Sequence, residues 1–222
     1  MLTFEENIDI MYLDRMVENE VELLRRHLSM DRNIKRKKII EDSIMLMYLN
    51  GYHATSVNDL AEAAGIPKST FYSFFNSKEE YAIYALGFYN DEINYKNLQL
   101  LEDESIKPLD RIINFYKSKI ANMEQKEYKY GCFVGNLTQE MGDVNKSIAK
   151  ITNTLHNMVS SKILLCILEA KEKYGYNPVS NPKILADYIN NSWQGALVRM
   201  KSSENREPLD EFYTILIEVL LK

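Results

Sequence analysis

The chain is poor in features that several classes of protein require. Its two cysteines, Cys132 and Cys166, are too few for a disulfide framework in 222 residues. Eight glycines and five prolines are too few for the frequent turns of a β-sandwich or barrel, and their scarcity favours long helices. The longest purely apolar run covers only residues 163–168, whereas a membrane span needs about 20. We therefore expect a cytoplasmic protein with no membrane segment.

The chain also lacks an excess of positive charge, with 27 basic and 32 acidic residues. The formal net charge of -5 excludes a protein that coats nucleic acid by bulk attraction, so any DNA contact must come from a local basic surface. The densest basic cluster covers residues 32–38 and runs directly into an amphipathic helix pattern that ends at Asn50 and Gly51. Such runs are often only a solvated face. Because a DNA-binding pattern follows, Lys38 and its neighbours are candidates for phosphate contacts.

The first residues carry a separate pattern. Apolar residues three or four positions apart predict a helical stripe: Leu13, Val17, Val21, Leu24 and Leu28. Acidic residues among the first twenty positions argue against a secretory signal. We interpret residues 1–32 as an N-terminal amphipathic extension that packs on the protein, with a special recognition arm as the alternative.

Residues 52–80 have the pattern of two short helices joined by a turn. Thr55 and Ser56 offer an N-cap for the first helix, Gly65 makes the turn, and Pro67 suits the start of the second. The second helix is expected to point four polar side chains outward: Lys68, Ser69, Tyr72 and Ser73. Its aromatic residues Phe71 and Phe75 are assigned to the core. This is the pattern of a helix-turn-helix, whose second helix lies in the DNA major groove.

The remaining segments are also helical, and no useful β pattern or repeat is present. The sequence therefore predicts an all-α protein with an extension (1–32), a helix-turn-helix DNA-binding domain (33–80) and a ligand-binding and dimerisation domain (81–222). The last two helices carry wide apolar faces that a four-helix seam between two subunits would bury. These faces contain Leu185, Tyr188, Ile189, Ser192, Phe212, Ile215, Leu216 and Val219.

The predicted helix-turn-helix domain, residues 33–80, is called the head below. The spacing of residues within it matches a known family. The matching residues are Gly51-Tyr52, Thr55-Ser56-Val57, Leu60-Ala61, Ala64-Gly65-Ile66, Lys68-Ser69-Thr70, Phe71-Tyr72, Phe75 and Ser77-Lys78-Glu79. In these residues the chain resembles the TetR family of transcriptional regulators. The resemblance implies a homodimer whose C-terminal domains bind a small-molecule inducer, which releases the dimer from a palindromic operator in double-stranded DNA.

Roles for individual residues follow from the resemblance and from physical chemistry. Tyr72 and Lys78 resemble the family's phosphate contacts, whereas Lys68, Ser69 and Thr70 resemble its groove-facing residues. Thr55, at a helix start, can hold a phosphate together with free backbone N–H groups.

A second resemblance lies in residues 131–137, Gly-Cys-Phe-Val-Gly-Asn-Leu. This segment is similar to that of a TetR subgroup that includes a repressor sensing electrophiles and hypochlorous acid through one cysteine, which a lysine partners. The resemblance implies that Cys132 is a sensor thiol and Lys201 its partner, since a nearby ammonium stabilises the reactive thiolate. The alternative is that Cys132 is a small packing residue. Tyr116, Asn136 and Trp193 are candidates to line a ligand cavity, or else belong to the core.

Two other functions compete with a regulator. An enzyme is not expected, because the three histidines are scattered and no phosphate-binding loop, metal-ligand motif or cofactor motif is present. No cofactor or metal ion is predicted. The other alternative is a TetR-fold ligand-binding or interaction protein whose head no longer binds DNA. Phe74, where many relatives have a phosphate-contacting histidine, and the balanced charge of residues 33–80 favour that alternative.

Overall fold

The computed structural model describes residues 30–222, so the apolar stripe predicted between Leu13 and Leu28 lies outside the described residues. Within residues 30–222 all regular secondary structure is helical, which confirms the predicted all-α class. The α-helices are α1 (residues 30–50), α2 (Val57–Ala63), α3 (Lys68–Phe74), α4 (Lys78–Phe88), α5 (Tyr95–Gln99), α6 (Pro108–Gln125), α7 (Phe133–Met141), α8 (Lys146–Tyr174), α9 (Pro182–Ser203) and α10 (Glu207–Ile215).

Helix boundaries follow the predicted capping chemistry. Ser56 is the N-cap of α2, where its hydroxyl accepts from the Asp59 amide and the Asp59 carboxylate accepts from the Ser56 amide. The Ser77 hydroxyl accepts from the Glu80 amide at the start of α4, as expected. The Glu80 carboxylate, however, reaches back to the amide of Asn76 and not to that of Ser77. α8 ends at Gly175, whose φ of 69° is the left-handed conformation that glycine adopts readily.

The helical stretch that begins at Lys78 is not regular throughout. A π-helical stretch, Tyr89–Asn94, separates α4 from α5, and a second one, Leu216–Leu220, follows α10. Such wide turns change which side chains face inward. Tyr89, Ile93 and Asn94 of the first stretch line a cavity described below.

The described part of the chain has two apolar clusters. One holds α1 to α4 together and includes Phe71, Phe75 and Tyr81, all fully buried. The other joins α6, α8, α9 and α10 around Trp193. Helix α7 belongs mainly to the first cluster, through Phe133 and Leu137, although it follows α6 in sequence. The head is therefore packed on the body through α7.

Between residues 30 and 222, no helix combines the length and apolarity needed to cross a membrane. The same stretch contains no group of three or more His, Cys, Asp and Glu side chains placed to hold a metal ion.

Candidate DNA-binding surface and regulatory site

The outer face of α3 carries the polar side chains that the sequence assigns to it. Phe71 is fully buried, whereas Lys68, Ser69 and Tyr72 are exposed, Tyr72 by 47% of its surface. We call these three exposed residues the recognition surface. Thr70 lies beside them but is partly buried, so less of its side chain is accessible to DNA than the sequence predicts.

Two arginines of the basic cluster hold the C-terminal end of α3. Arg32 donates to the backbone oxygen of Ser73 at 2.9 Å, and Arg36 donates to that of Phe74 at 3.0 Å. The Arg36 guanidinium also stacks 4.2 Å from the centre of the Tyr84 ring. Cations placed there satisfy the last carbonyls of a helix, so the cluster positions the recognition surface.

Sequence reasoning missed this role because the partners lie about forty positions away in the chain. The only signal was the presence of two arginines within an otherwise lysine-rich run. The planar guanidinium group of arginine can stack on an aromatic ring and donate several hydrogen bonds at once.

Two predicted phosphate contacts are used inside the protein, and these assignments need correction. The Thr55 side chain is fully buried, and its hydroxyl donates to the backbone oxygen of Gly51 at 2.7 Å, so it is not presented to a phosphate. The Lys78 ammonium donates to the backbone oxygens of Tyr52 and Thr55, both at 2.9 Å, and lies 4.1 Å from the Tyr52 ring centre. Lys78 therefore ties the start of α4 to the turn before α2.

Lys38 is exposed but paired within its own helix. Its ammonium lies 2.8 Å from the Asp42 carboxylate and 3.4 Å from that of Glu41. The hydrogen bond to Asp42 and the negative charge of both carboxylates raise the pKa of Lys38. Local carboxylates thus offset part of the charge that Lys38 was predicted to offer to DNA.

Cys132 stands at the N-cap of α7. Its Sγ accepts a hydrogen bond from the amide of Gly135 at 3.5 Å, and the residue is partly buried. The structure brings Cys132, Asn136 and Lys201 together around a narrow cavity of about 10 Å³, which we call the thiol pocket. The Lys201 ammonium donates to the Asn136 side-chain oxygen at 3.3 Å, and the Asn136 amide donates to the backbone oxygen of Tyr130.

The loop before Cys132 has an unusual backbone. Glu127, Tyr128 and Tyr130 have positive φ values of 52°, 59° and 73°. Non-glycine residues in this conformation store strain that the surrounding structure must hold. Gly131, with φ of 68°, lies so close to Lys201 that an added Cβ would stand 3.1 Å from the lysine Cδ.

A larger cavity lies on the other side of Cys132. It has a volume of about 60 Å³, and we call it the lysine cavity because Lys119 of α6 and Lys126, the residue that follows α6, line it, with Trp193 of α9. Trp193 lines this cavity, although only 1% of its surface is exposed. Tyr116 lies deeper: it is fully buried, packs against Trp193 at 5.4 Å between ring centres, and lines neither cavity.

Burial dominates the electrostatics around the lysine cavity. It lowers the pKa of the Lys119 and Lys126 ammonium groups, and the thiolate form of Cys132 partly opposes that shift. His156, on α8, also has a lowered pKa because of burial and the nearby charge of Lys119. Cys132 thus borders two cavities that contain lysines: Lys119 and Lys126 line the lysine cavity, and Lys201 lines the thiol pocket.

Helix α7 connects this region to the head at both of its ends. Near its start, the Tyr48 hydroxyl of α1 donates to the backbone oxygen of Gly131 at 2.7 Å. Near its end, the Glu140 carboxylate accepts from the amides of Tyr52 and His53, both at 3.0 Å. A shift of α7 would therefore move the base of the head.

A third surface is apolar and uncovered within the described chain. Ile184, Tyr188 and Val198 of α9 are 61%, 55% and 47% exposed, whereas their neighbours Leu185 and Ile189 are buried. On the last helix Ile215 and Val219 are exposed, while Phe212 and Leu216 belong to the core. The predicted seam residues thus divide between the core and the surface.

A helix-turn-helix head with an exposed second helix, packed on a helical body, defines a DNA-binding regulator. Residues 39–82 match the family described as "Bacterial regulatory proteins, tetR family", and residues 108–216 match "Tetracyclin repressor-like, C-terminal domain". The HTH-type transcriptional repressor DhaR of Mycobacterium sp. (strain GP1) is 31% identical over 192 residues, covering 86% of this chain and 95% of DhaR. The chain belongs to the TetR family of transcriptional regulators, which are not enzymes.

Two further relatives extend the comparison. The HTH-type transcriptional repressor NemR of Escherichia coli (strain K12) is 22% identical over 79% of this chain and 88% of NemR. The crystal structure of reduced NemR has a TM-score of 0.77 at 20% identity, over 84% of this chain and 96% of that one. A cysteine mutant of CifR in complex with 26-bp double-strand operator DNA has a TM-score of 0.70 at 16% identity, over 83% and 96%. These likenesses show a shared fold.

Proposed function

We propose that the protein is a dimeric repressor that binds a palindromic operator and is released from it by a small-molecule inducer. Residues 33–80 act as the DNA-binding domain, and residues 81–222 bind the inducer and form the dimer. Because its partner is DNA, we place the protein in the cytoplasm.

The observation that carries this proposal is the recognition surface. Lys68, Ser69 and Tyr72 project from a helix whose inner face is locked by Phe71 and whose end is held by Arg32 and Arg36. A rigid helix with exposed polar side chains is what reading a major groove requires. CifR, which has the same fold, is recorded in complex with operator DNA.

Induction is proposed to act through α7. Two heads of a dimer must stand about 34–36 Å apart to enter successive major grooves, and a helix shift of about 1–2 Å changes such a spacing. A ligand or oxidant acting at Cys132 reaches the start of α7, and Glu140 passes the shift to the turn at Tyr52 and His53. Lys201 lines the thiol pocket and the Gly135 amide donates to the Cys132 sulfur, which supports Cys132 as the residue that reacts with electrophiles.

Salt-dependent DNA binding tests the repressor function. The purified protein is titrated by fluorescence anisotropy into a duplex from upstream of its own gene and into a shuffled duplex. We expect the natural duplex to bind about 10³-fold more tightly or better. Lys68→Ala should cost about 1–3 kcal/mol and relax the preference at one base pair.

The matched control is Lys150→Ala, which removes an exposed lysine from α8 in the body and should leave binding unchanged. Weak and equal binding to both duplexes would reject the repressor function. It would favour the alternative of a ligand-binding protein whose head has lost DNA specificity, which the internal use of Thr55 and Lys78 makes worth testing.

A further inference from the structure

We propose that the lysine cavity binds a small organic anion, a carboxylate by preference, and that Lys119 and Lys126 are the residues that hold it. The proposal deepens the proposed function, because this anion would be the inducer of the repressor. Only that role as inducer rests on the proposed function. Binding itself is a property of the cavity.

The charge of the cavity wall is the first argument. Lys119 of α6 and Lys126, the C-cap residue of α6, are seven residues apart, about two helical turns, and both line the cavity. Among the described residues that line the cavity there is no aspartate or glutamate. This is an unusual local composition for a chain with 32 acidic and 27 basic residues.

Neither ammonium group is neutralised by the part of the chain that the structure describes. Within residues 30–222, no carboxylate lies within 4.0 Å of the Lys119 or Lys126 amine. The Lys119 amine faces the rings of Phe115 and Trp193, 4.7 and 5.8 Å from their centres. Among the described residues, the Lys126 amine donates only to the Tyr48 hydroxyl, at 3.4 Å. Both side chains are partly buried, and a charge withdrawn from water is normally paired, so an anion from outside the described residues is the expected partner.

The remaining wall specifies the size and shape of that anion. A volume of about 60 Å³ has room for about four to six waters, and hence for a molecule of only a few heavy atoms. Trp193 and Met123 offer an apolar side, whereas the Asn97 and Asn122 amides supply hydrogen-bond donors. A carboxylate at the lysines with a short apolar part against the indole fits this arrangement.

The two lysines have one other use, which the experiment must separate. Cys132 lines the same cavity, and its thiolate is an anion that the lysines can stabilise. A lysine that only stabilises the thiolate accelerates neutral and anionic thiol reagents by the same factor. A lysine that attracts external anions accelerates only the anionic reagent.

The test compares two reagents of nearly equal shape on DNA-free Cys166→Ala protein. Rates of Cys132 alkylation are measured with iodoacetate, which is a carboxylate, and with neutral iodoacetamide. In both reactions the thiolate displaces iodide, so an S–C bond forms, a C–I bond breaks and the thiol proton goes to solvent. The iodoacetate-to-iodoacetamide rate ratio is divided by the same ratio for N-acetylcysteine amide, a neutral thiol.

We expect this normalised ratio to exceed one by about tenfold or more. Lys119→Met and Lys126→Met should each lower it, whereas the control Lys117→Met, an exposed lysine on the same helix, should leave it unchanged. A normalised ratio near one, or one that survives both substitutions, overturns the proposal. So does a parallel fall of both rates at a constant ratio, which assigns the lysines to the thiolate alone.

If Cys132 is closed to both reagents, the same charge comparison is made on thermal stability. Propionate should then raise Tm more than propionamide does in the wild type, and equally little in Lys119→Met. An equal effect of the two compounds on the wild type overturns the proposal. Since DNA is absent throughout, failure here leaves operator binding untouched, and failure of operator binding leaves this result standing.

Discussion

The two cysteines differ in burial and in hydrogen bonding. Cys166 is 1% exposed, its Sγ donates to the backbone oxygen of Leu101 at 3.3 Å, and burial raises the pKa of its thiol to about 11. Cys132 is only partly buried, accepts an amide hydrogen bond and has cationic neighbours. Thiolate is the nucleophile, so the two should react very differently.

We predict that a maleimide labels Cys132 in the folded protein and reaches Cys166 only after denaturation. Lys201→Ala should slow the labelling of Cys132, because it removes a nearby positive charge. Peptide mass spectrometry after timed labelling measures both rates, with Lys171→Ala, an exposed lysine near the end of α8, as the control. If Cys132 is labelled at the rate of a buried thiol, and Lys201→Ala leaves that rate unchanged, Cys132 has only a packing role.

Residue positions followed from the sequence wherever helical periodicity decides them. The inward side chains of Phe71 and Phe75 and the outward ones of Lys68 and Tyr72 are as predicted, because one face of a short helix must be buried. The role of Lys78 was not predictable, since its partners are backbone oxygens more than twenty positions away. Side chains that bond to distant backbone groups leave no periodic signal.

At the scale of elements, α7 links the loop at Cys132 to the head. It carries Cys132 at its N-cap and Glu140 in its last turn, and Phe133 and Leu137 sit in the core of the head. The sequence predicted a short helix here but not its attachment, because the contacts with Tyr48 and Tyr52 span more than eighty positions. The π-helical stretch Tyr89–Asn94 was also missed, since it contains no glycine or proline that would signal a break in the helix.

Tyr48→Phe tests whether this link carries the signal. The substitution removes the hydroxyl that donates to the Gly131 oxygen and accepts from Lys126, and leaves a buried carbonyl unpaired. We predict a loss of about 1–2 kcal/mol in the free energy of unfolding, measured in urea. We also expect operator release by an electrophile to need a higher concentration, because α1 and the Cys132 loop are less firmly joined.

Tyr95→Phe is the matched control, since Tyr95 is 52% exposed and no described residue hydrogen-bonds to its hydroxyl. It should change neither measurement. If Tyr48→Phe lowers stability but leaves the concentration for release unchanged, the hydrogen bond is structural and the signal passes elsewhere, with Glu140 as the next candidate.

At the scale of the whole molecule, α9 carries an apolar stripe that no other described residue covers. Along α9 the exposed residues Ile184, Tyr188 and Val198 recur at helical spacing, and Gly195 lies on the same side. A Cβ at Gly195 would meet nothing within 4 Å, so packing in the described chain does not require a glycine there. The close approach of a second helix would require a glycine at this position. An uncovered apolar stripe normally marks an interface.

We predict that Tyr188→Glu makes the protein monomeric, because it places a charge at the centre of this stripe. Operator affinity should then fall by about 100-fold or more, since two linked heads gain that much over one. Sedimentation velocity reports the oligomeric state, and anisotropy titration with the operator duplex reports the affinity.

Val144→Glu controls for adding charge at an exposed apolar position, as Val144 is 74% exposed and lies between α7 and α8. A Tyr188→Glu protein that remains dimeric and binds the operator normally would place the seam on another face, and the exposed Leu165 and Leu168 of α8 would be the next to test.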